Sequence, residues 1–146
     1  MTKNKISLTL TILFFIGLPM GGMIFFWKDM HSRIQREAKP KVTALAQEVM
    51  KDWKVSNDEV GPEYELAKHE PEMEAWRSKF GALKSLGEAR NGKSWARELK
   101  DQGWQFARFE YDAQFEKGDA VVQVTGTRLY LEPVWKLVEI KITPKS

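Results

Sequence analysis

An uncharged run of 22 residues at positions 6–27, ISLTLTILFFIGLPMGGMIFFW, constrains the fold of this chain more than any other feature. As a helix rising about 1.5 Å per residue it would extend roughly 33 Å, enough to cross the hydrocarbon core of a bilayer. Trp27 ends the run where amphipathic rings favour the membrane interface, and Lys28 begins the polar chain. The sequence therefore predicts a single-pass transmembrane helix.

A cleaved signal peptide is the competing interpretation of this run, because a short basic tail, residues 1–5, precedes it. Cleavage needs small residues in an A-x-A-like pattern at the end of the apolar segment, and the bulky GMIFFW occupies that place. We therefore expect an uncleaved signal-anchor that holds the rest of the chain at the lipid bilayer.

Two glycines within the run allow two interpretations. Gly17 and Gly21 form a G-x-x-x-G pattern, which can bring two membrane helices close together and so favour a homo-oligomer. Pro19 lies between them, and a kinked helix explains the same glycines. A flexible anchor without a specific dimer is the simpler expectation.

The charges beside the run give conflicting indications of orientation. Five basic residues follow it within residues 28–41 and two precede it, which by the positive-inside rule would place the domain in the cytoplasm. A short basic tail before a long apolar run is also the shape of an uncleaved secretory signal. We favour this second indication and expect an extracytoplasmic domain, periplasmic in a bacterium.

The charge of the remaining chain excludes one class of partner. Residues 42–146 carry 16 basic and 18 acidic side chains, a net charge of −2. A nucleic-acid-binding domain would normally show a basic footprint, so we expect no nucleic-acid partner. The chain contains no cysteine, which excludes disulfides, thiolate catalysis and cysteine metal sites.

Helical spacing of apolar residues follows the anchor. A helical linker is expected over residues 28–39, with a break near Pro40, and a second amphipathic helix over residues 62–80, divided by Pro71. Between the linker and that second helix, the first soluble helix begins at Pro40. It carries one apolar face, made of Val42, Leu45, Ala46, Val49, Met50 and Trp53.

The period then changes from helical to alternating. Phe109, Tyr111, Ala113 and Phe115 alternate with charged and amide side chains, EKGD at 116–119 is a hairpin signal, and AVVQVTGTRLYL and VWKLVEIKIT read as further strands. GALKSLGEAR at 81–90 is a weaker fourth strand. We predict an α+β domain over residues 40–146, with one or two amphipathic helices packed on a four-stranded antiparallel meander.

The stretch GEARNGKS at 87–94 matches the G-x-x-x-x-G-K-[ST] phosphate loop, in which Gly87, Gly92, Lys93 and Ser94 would hold a nucleotide. SWARELKDQG after it could form the short helix that this motif needs. The surrounding parallel sheet is not predicted, because the residues that follow read as a hairpin-linked meander. A surface turn is the preferred interpretation, and we expect no cofactor.

Other catalytic or metal constellations are weak. Glu65, His69 and Glu72 have helical spacing for a metal ion, but a solvated helix with charge pairs explains them better. Asp112 beside Tyr111 resembles a proton-abstraction pair, yet adjacent strand residues point to opposite faces of a sheet. We predict neither a catalytic residue nor a metal ligand.

Large aromatic residues are the strongest remaining signal. Core packing accounts for most of them, and an aromatic-lined pocket or partner groove is the alternative. Trp95 and Trp104 flank a polar segment and are expected to be exposed, and with Tyr130 they are the candidate partner-binding residues.

The order of helices followed by a curved meander, with FEKGDAVVQV and VWKLVEIKI as its strands, resembles the cystatin-like and nuclear-transport-factor-two-like domains. Combined with a membrane helix, it resembles the inner-membrane scaffold proteins of type IV secretion. This resemblance implies a ligand binder, an isomerase or a partner-binding scaffold. We predict a membrane-anchored, non-catalytic accessory or scaffold protein with a membrane-complex protein partner, and a small-ligand or isomerase-like pocket domain as the alternative.

Overall fold

The computed structural model describes residues 18–62, residue 64 and residues 66–145. The chain divides into two compact units, residues 1–33 and residues 34–146, and each is described by itself. Residues 6–17 of the predicted anchor, including Gly17, lie outside the described residues. Within the described part of the chain, no helix is long and apolar enough to cross a membrane.

Two helices are present among the described residues. Helix α1 runs from Leu18 to Asp52, and helix α2 runs from Leu66 to Phe80. The predicted break near Pro40 is wrong, because α1 continues through that proline, which removes one backbone donor from the helix. Pro71 likewise lies inside α2 and does not divide it into two pieces. A short 3-10 turn, Asn57–Glu59, lies between the helices.

Five antiparallel strands follow: β1 Leu83–Leu86, β2 Arg90–Leu99, β3 Gln102–Phe115, β4 Gly118–Leu129 and β5 Lys136–Pro144. The α+β class is confirmed, but the prediction of four strands is wrong. The extra strand is β2, whose residues 94–99 belong to the segment that could have formed the short helix of a phosphate loop. Pairing with β3 overrides the helix propensity of this polar segment.

Strand β3 pairs with three of the other four strands of the sheet. The sheet order is β1-β3-β4-β5, and β2 also pairs with β3. Strand β1 pairs with the last residues of β3, from Ala113 to Phe115, while β2 pairs with its first part, residues 102–110. Strands β1 and β2 therefore lie end to end along the edge of β3 that β4 does not occupy.

Helix α1 from Ile34 onward packs on one face of this sheet. Its fully buried face includes Val42, Ala46 and Val49, and the neighbouring Thr43 contacts the hydroxyl of Tyr111 in β3. We call this side of the sheet the helix face. A glycine is required in β4 here, because a Cβ added at Gly126 would lie 2.8 Å from Val42 Cγ2. The close approach lets the helix and sheet bury a continuous apolar core.

The end of α1 joins α2 through an aromatic cluster. The ring of Trp53 lies 5.6 Å from that of Phe115 and 5.9 Å from that of Trp76, measured between centroids. Trp53 Nε1 also donates a hydrogen bond of 2.8 Å to the carbonyl of Gly81. A buried indole N–H needs a hydrogen-bond partner, and Gly81 supplies it. The ring contacts and this bond together hold the ends of both helices against the sheet.

Candidate functional site

The residues of the phosphate-loop match lie in and beside an edge strand. Gly87 lies in the connection between β1 and β2, and its amide already donates to the carbonyl of Asp112 at 2.7 Å. Lys93 and Ser94 pair with β3 in the antiparallel ladder, opposite Arg108 and Ala107. The motif needs free backbone amides in a loop between a strand and a helix. These residues instead lie in a connection between two strands and in an antiparallel strand, so they do not form a phosphate loop.

The acid–phenol pair is separated by the pleat of β3. Tyr111 is fully buried on the helix face, where its hydroxyl lies 2.9 Å from Thr43 Oγ1. Thr43 donates its only hydroxyl proton to the carbonyl of Lys39 at 2.6 Å, so Tyr111 is the donor in the other bond. Burial raises the pKa of the Tyr111 phenol above its usual 10.0. This tyrosine is a satisfied core residue.

Asp112 lies on the opposite side of the sheet, which we call the open face and define by Arg108, Glu110 and Asp112 of β3. Its carboxylate accepts a hydrogen bond from each of the two terminal nitrogens of the Arg90 guanidinium, and it lies 2.8 Å from Lys145 Nζ. These two cations, Arg90 first, lower the pKa of Asp112 from 3.8 to about 2. Asp112 is therefore a paired carboxylate, unsuited to accept a proton at neutral pH.

This pairing gives a testable pH dependence. Because the pKa of Asp112 is lower in the folded protein, its contribution to stability is present above pH 3.8 and is lost as the pH falls through about 2. We expect the NMR carboxyl resonance of Asp112 to titrate near 2, and Arg90→Gln to move that midpoint upward. Lys141→Gln, a change in a cation that pairs with Glu139, should leave it unmoved. A midpoint near 3.8 in the parent protein would contradict the pairing.

The three residues that were considered as metal ligands, Glu65, His69 and Glu72, are not seen to form a metal site in the part of the chain that the structure describes. His69 Nδ1 lies 3.3 Å from Glu72 Oε2, and its ring stacks on Tyr64 with centroids 4.6 Å apart. Glu65 lies outside the described residues. Among the residues that are described, no group of three or more histidine or acidic side chains could hold a metal ion.

Two predicted partner-binding residues, Trp95 and Trp104, lie on the open face. The ring of Trp95 stacks on that of Phe106, with centroids 5.4 Å apart and planes within 2°. The guanidinium of Arg108 lies over the same indole at 5.1 Å from its centroid. Trp104 pairs with Arg97 on one side and with Leu129 on the other. Both tryptophans are partly exposed, where core residues would be buried.

The open face beyond the tryptophans is polar and charged. Glu110 accepts a hydrogen bond of 2.8 Å from Asn91 Nδ2, and Arg108 donates one of 3.1 Å to Thr125 Oγ1. Alternating signs of charge continue through Asp112 to Lys145. Such a face is stable in water and can also dock a polar, complementary surface.

The third predicted residue, Tyr130, lies in the loop between β4 and β5. Its side chain is exposed, as are those of Leu131 and Val134 in the same loop. Leu131 and Val134 were not predicted to be exposed, because the strand segments AVVQVTGTRLYL and VWKLVEIKIT include them. A turn signal, Glu132 and Pro133, marks this position in the sequence, and the strand ends before it at Leu129.

Two surface clefts lie beside the helices. One, of about 420 Å³, lies between the α1 residues Pro40, Ala44 and Gln47 and the β1–β2 connection at Leu86 and Ala89. Another, of about 520 Å³, is bordered by Trp53, Tyr64, Pro71, Met73 and Arg77. Asp112, the acid that was considered for proton abstraction, does not line either of these two clefts.

The described part of the first unit is one exposed helical segment. Phe25 is 76% exposed, and Met20, Met23, Ile24, Phe26 and Trp27 each expose more than half of their surface. An added Cβ at Gly21 would meet nothing within 4 Å. Trp27 stacks on His31, with centroids 5.9 Å apart. A contiguous patch of this kind marks a surface that is covered by lipid or protein.

No family model, curated protein or solved structure matches this chain.

Proposed function

We propose that this protein is a membrane-anchored, non-catalytic accessory or scaffold protein, whose α+β domain binds a protein partner. The observation that carries the proposal is the exposure of the apolar side chains at residues 20–27. They continue the uncharged run that begins at residue 6, and a bilayer would cover them. The resemblance to scaffold proteins of type IV secretion stays a prediction that rests on the order of elements.

The open face is the proposed partner surface, with the anchor keeping it close to a membrane complex. Trp95 and Trp104 offer large, partly exposed rings, and the guanidinium of Arg108 packs over Trp95. Aromatic and arginine side chains are enriched among the residues that dominate binding energy at protein interfaces. The paired charges around Glu110 and Asp112 would give the interface its polar rim.

The small-ligand alternative has less support. An isomerase-like pocket between α1 and the sheet would need an inward-facing acid, and Asp112 lies on the open face, paired with Arg90. The side chains of Val42, Val49 and Tyr111 fill the space between the helix and the sheet. Nucleotide binding has still less support, since the Gly87 amide is already bonded within the chain.

Affinity capture of the full chain from detergent-solubilised membranes tests this proposal. We expect a stoichiometric protein partner, and a several-fold loss of that partner with Trp95→Ala or Trp104→Ala. Trp76→Ala is the matched control, because this third partly exposed tryptophan lies on α2 and contacts Trp53. Thermal unfolding of each variant confirms that the domain is folded. Recovery of the parent as a lone monomer at native abundance would contradict the proposal.

A further inference from the structure

The most exposed large apolar side chains of the domain lie together in one loop. Among the described residues from Ile34 onward, these are Tyr130, Leu131 and Val134, and Leu131 is 78% exposed. Singly exposed apolar residues are ordinary, but three in one loop form a patch that calls for a partner. We call this segment, residues 130–134, the β4–β5 loop.

The conformation of this loop does not arise from a preference of its residues. The amide of Glu132 donates to the carbonyl of Leu129 at 2.9 Å, which makes Tyr130 and Leu131 the two corner residues of a β-turn. Leu131 has a φ of 65°, in the left-handed region that glycine or asparagine normally occupies. The fold therefore displays a leucine where a small or polar residue would suit the turn better.

The loop lies at the end of the sheet by which the chain enters the domain. Helix α1 runs antiparallel to β4, because Glu37 contacts Arg128 near the end of that strand while Val42 contacts Gly126. Further along, Trp53 lies beside Phe115 at the other end of the sheet. Ile34, one helical turn before Glu37, is thus on the same side as the β4–β5 loop.

The length of the connecting chain limits how far this end of the sheet can be from the membrane. Trp27, which ends the apolar run, precedes Ile34 by seven residues. Even fully extended, seven residues reach at most about 25 Å. With residues 6–27 in a bilayer, Ile34 therefore lies within about 25 Å of the headgroups, a distance that allows the loop-bearing end of the domain to reach the lipid.

We propose that the β4–β5 loop inserts Tyr130, Leu131 and Val134 into the interface of the membrane that holds residues 6–27. This inference rests on the proposed anchor and goes beyond it, because it adds a second lipid contact that orients the domain. Tyrosine suits the headgroup region, and leucine and valine suit the acyl boundary below it. A contact this small would bind weakly alone, but the anchor supplies a high effective concentration.

Single-cysteine labelling tests the loop directly, since the parent chain contains no cysteine. The full chain is reconstituted in phosphatidylcholine and phosphatidylglycerol vesicles that carry nitroxide groups on their acyl chains. An environment-sensitive fluorophore is placed at Leu131→Cys and, separately, at Val134→Cys. Phe25→Cys reports on the anchor. Lys117→Cys, in the exposed β3–β4 hairpin at the other end of the sheet, is the matched control.

We expect the nitroxide lipids to quench the labels at positions 131 and 134 to an extent comparable with position 25, and several-fold more than position 117. If position 25 is quenched while positions 131 and 134 match position 117, the loop proposal fails and the anchor stands. A label at 131 in an apolar environment without lipid quenching, as a second copy of the chain would produce, also overturns it. An unquenched label at position 25 overturns the anchor and the loop together.

Discussion

Replacing Ile12 and Ile16 by arginine is expected to move this protein from the membrane pellet to the soluble fraction. Both positions lie near the middle of the uncharged run at residues 6–27. An arginine at the centre of a membrane helix costs about 3 kcal/mol on an insertion scale, so two cost about 6 kcal/mol, or roughly four orders of magnitude in partitioning. Fractionation of cells followed by immunoblotting measures the change.

The matched control for this prediction keeps the positions and changes only the shape of the side chain. Ile12→Leu with Ile16→Leu preserves the hydropathy of the segment, so that variant should remain in the pellet. A double-arginine variant that stays as firmly in the pellet as the parent would mean that another part of the chain holds it at the membrane.

Arg128→Ala is expected to lower the free energy of unfolding of the domain by about 2–3 kcal/mol, because a hydrogen bond made by a charged group contributes about 1.5–3 kcal/mol and a cation–π contact adds to it. Only 12% of the Arg128 side chain is exposed. Its guanidinium donates to Glu37 Oε2 at 2.8 Å and to Gln105 Oε1 at 2.8 Å, and it lies over the ring of Trp135. These contacts join α1 to β3, to β4 and to the residue that precedes β5, so their loss weakens the packing of the helix on the sheet.

Arg108→Ala is the matched control, because Arg108 also lies 5.1 Å from a tryptophan centroid and also has a glutamate nearby. Arg108 itself is more exposed than Arg128, at 31%, and its pair with Glu139 is longer, at 4.0 Å, so a cost of less than about 1 kcal/mol is expected. Chemical denaturation of both variants in detergent micelles gives the comparison. Equal losses would refute the special role assigned to Arg128.

Elements with a strong period were predictable from the sequence. The alternation through Phe109, Tyr111 and Phe115 places those side chains on the helix face, where the structure buries them. EKGD forms the turn between β3 and β4, and the apolar face from Val42 to Trp53 packs on the sheet. In each case the spacing of the apolar residues predicts both the type of element and the face that is buried in the core.

Elements that depend on distant pairing were not predictable. Strand β2 contains Ala96, Glu98 and Leu99, residues that favour a helix, and only the ladder with β3 makes it a strand. Pro40 was expected to interrupt α1, but packing of the residues on both sides of it, Ala38 and Val42, keeps the helix continuous. Local propensity is weak beside such tertiary contacts.

The candidate site was predictable in part. Trp95, Trp104 and Tyr130 all retain exposed surface, whereas the stacking of Trp95 on Phe106 required the register of β2 and β3. Leu131 and Val134 could not be separated from core residues by composition, since burial of an apolar side chain depends on where the strand ends. The turn at Glu132 and Pro133 determines that end.

The most direct test of a tethered accessory domain is the intact mass of the protein recovered from membranes after alkaline carbonate washing. We predict that the chain stays in the washed pellet and has the mass of an uncleaved polypeptide that includes residues 6–27. A protein released into the supernatant, or a mature form that begins after Trp27, would contradict the account.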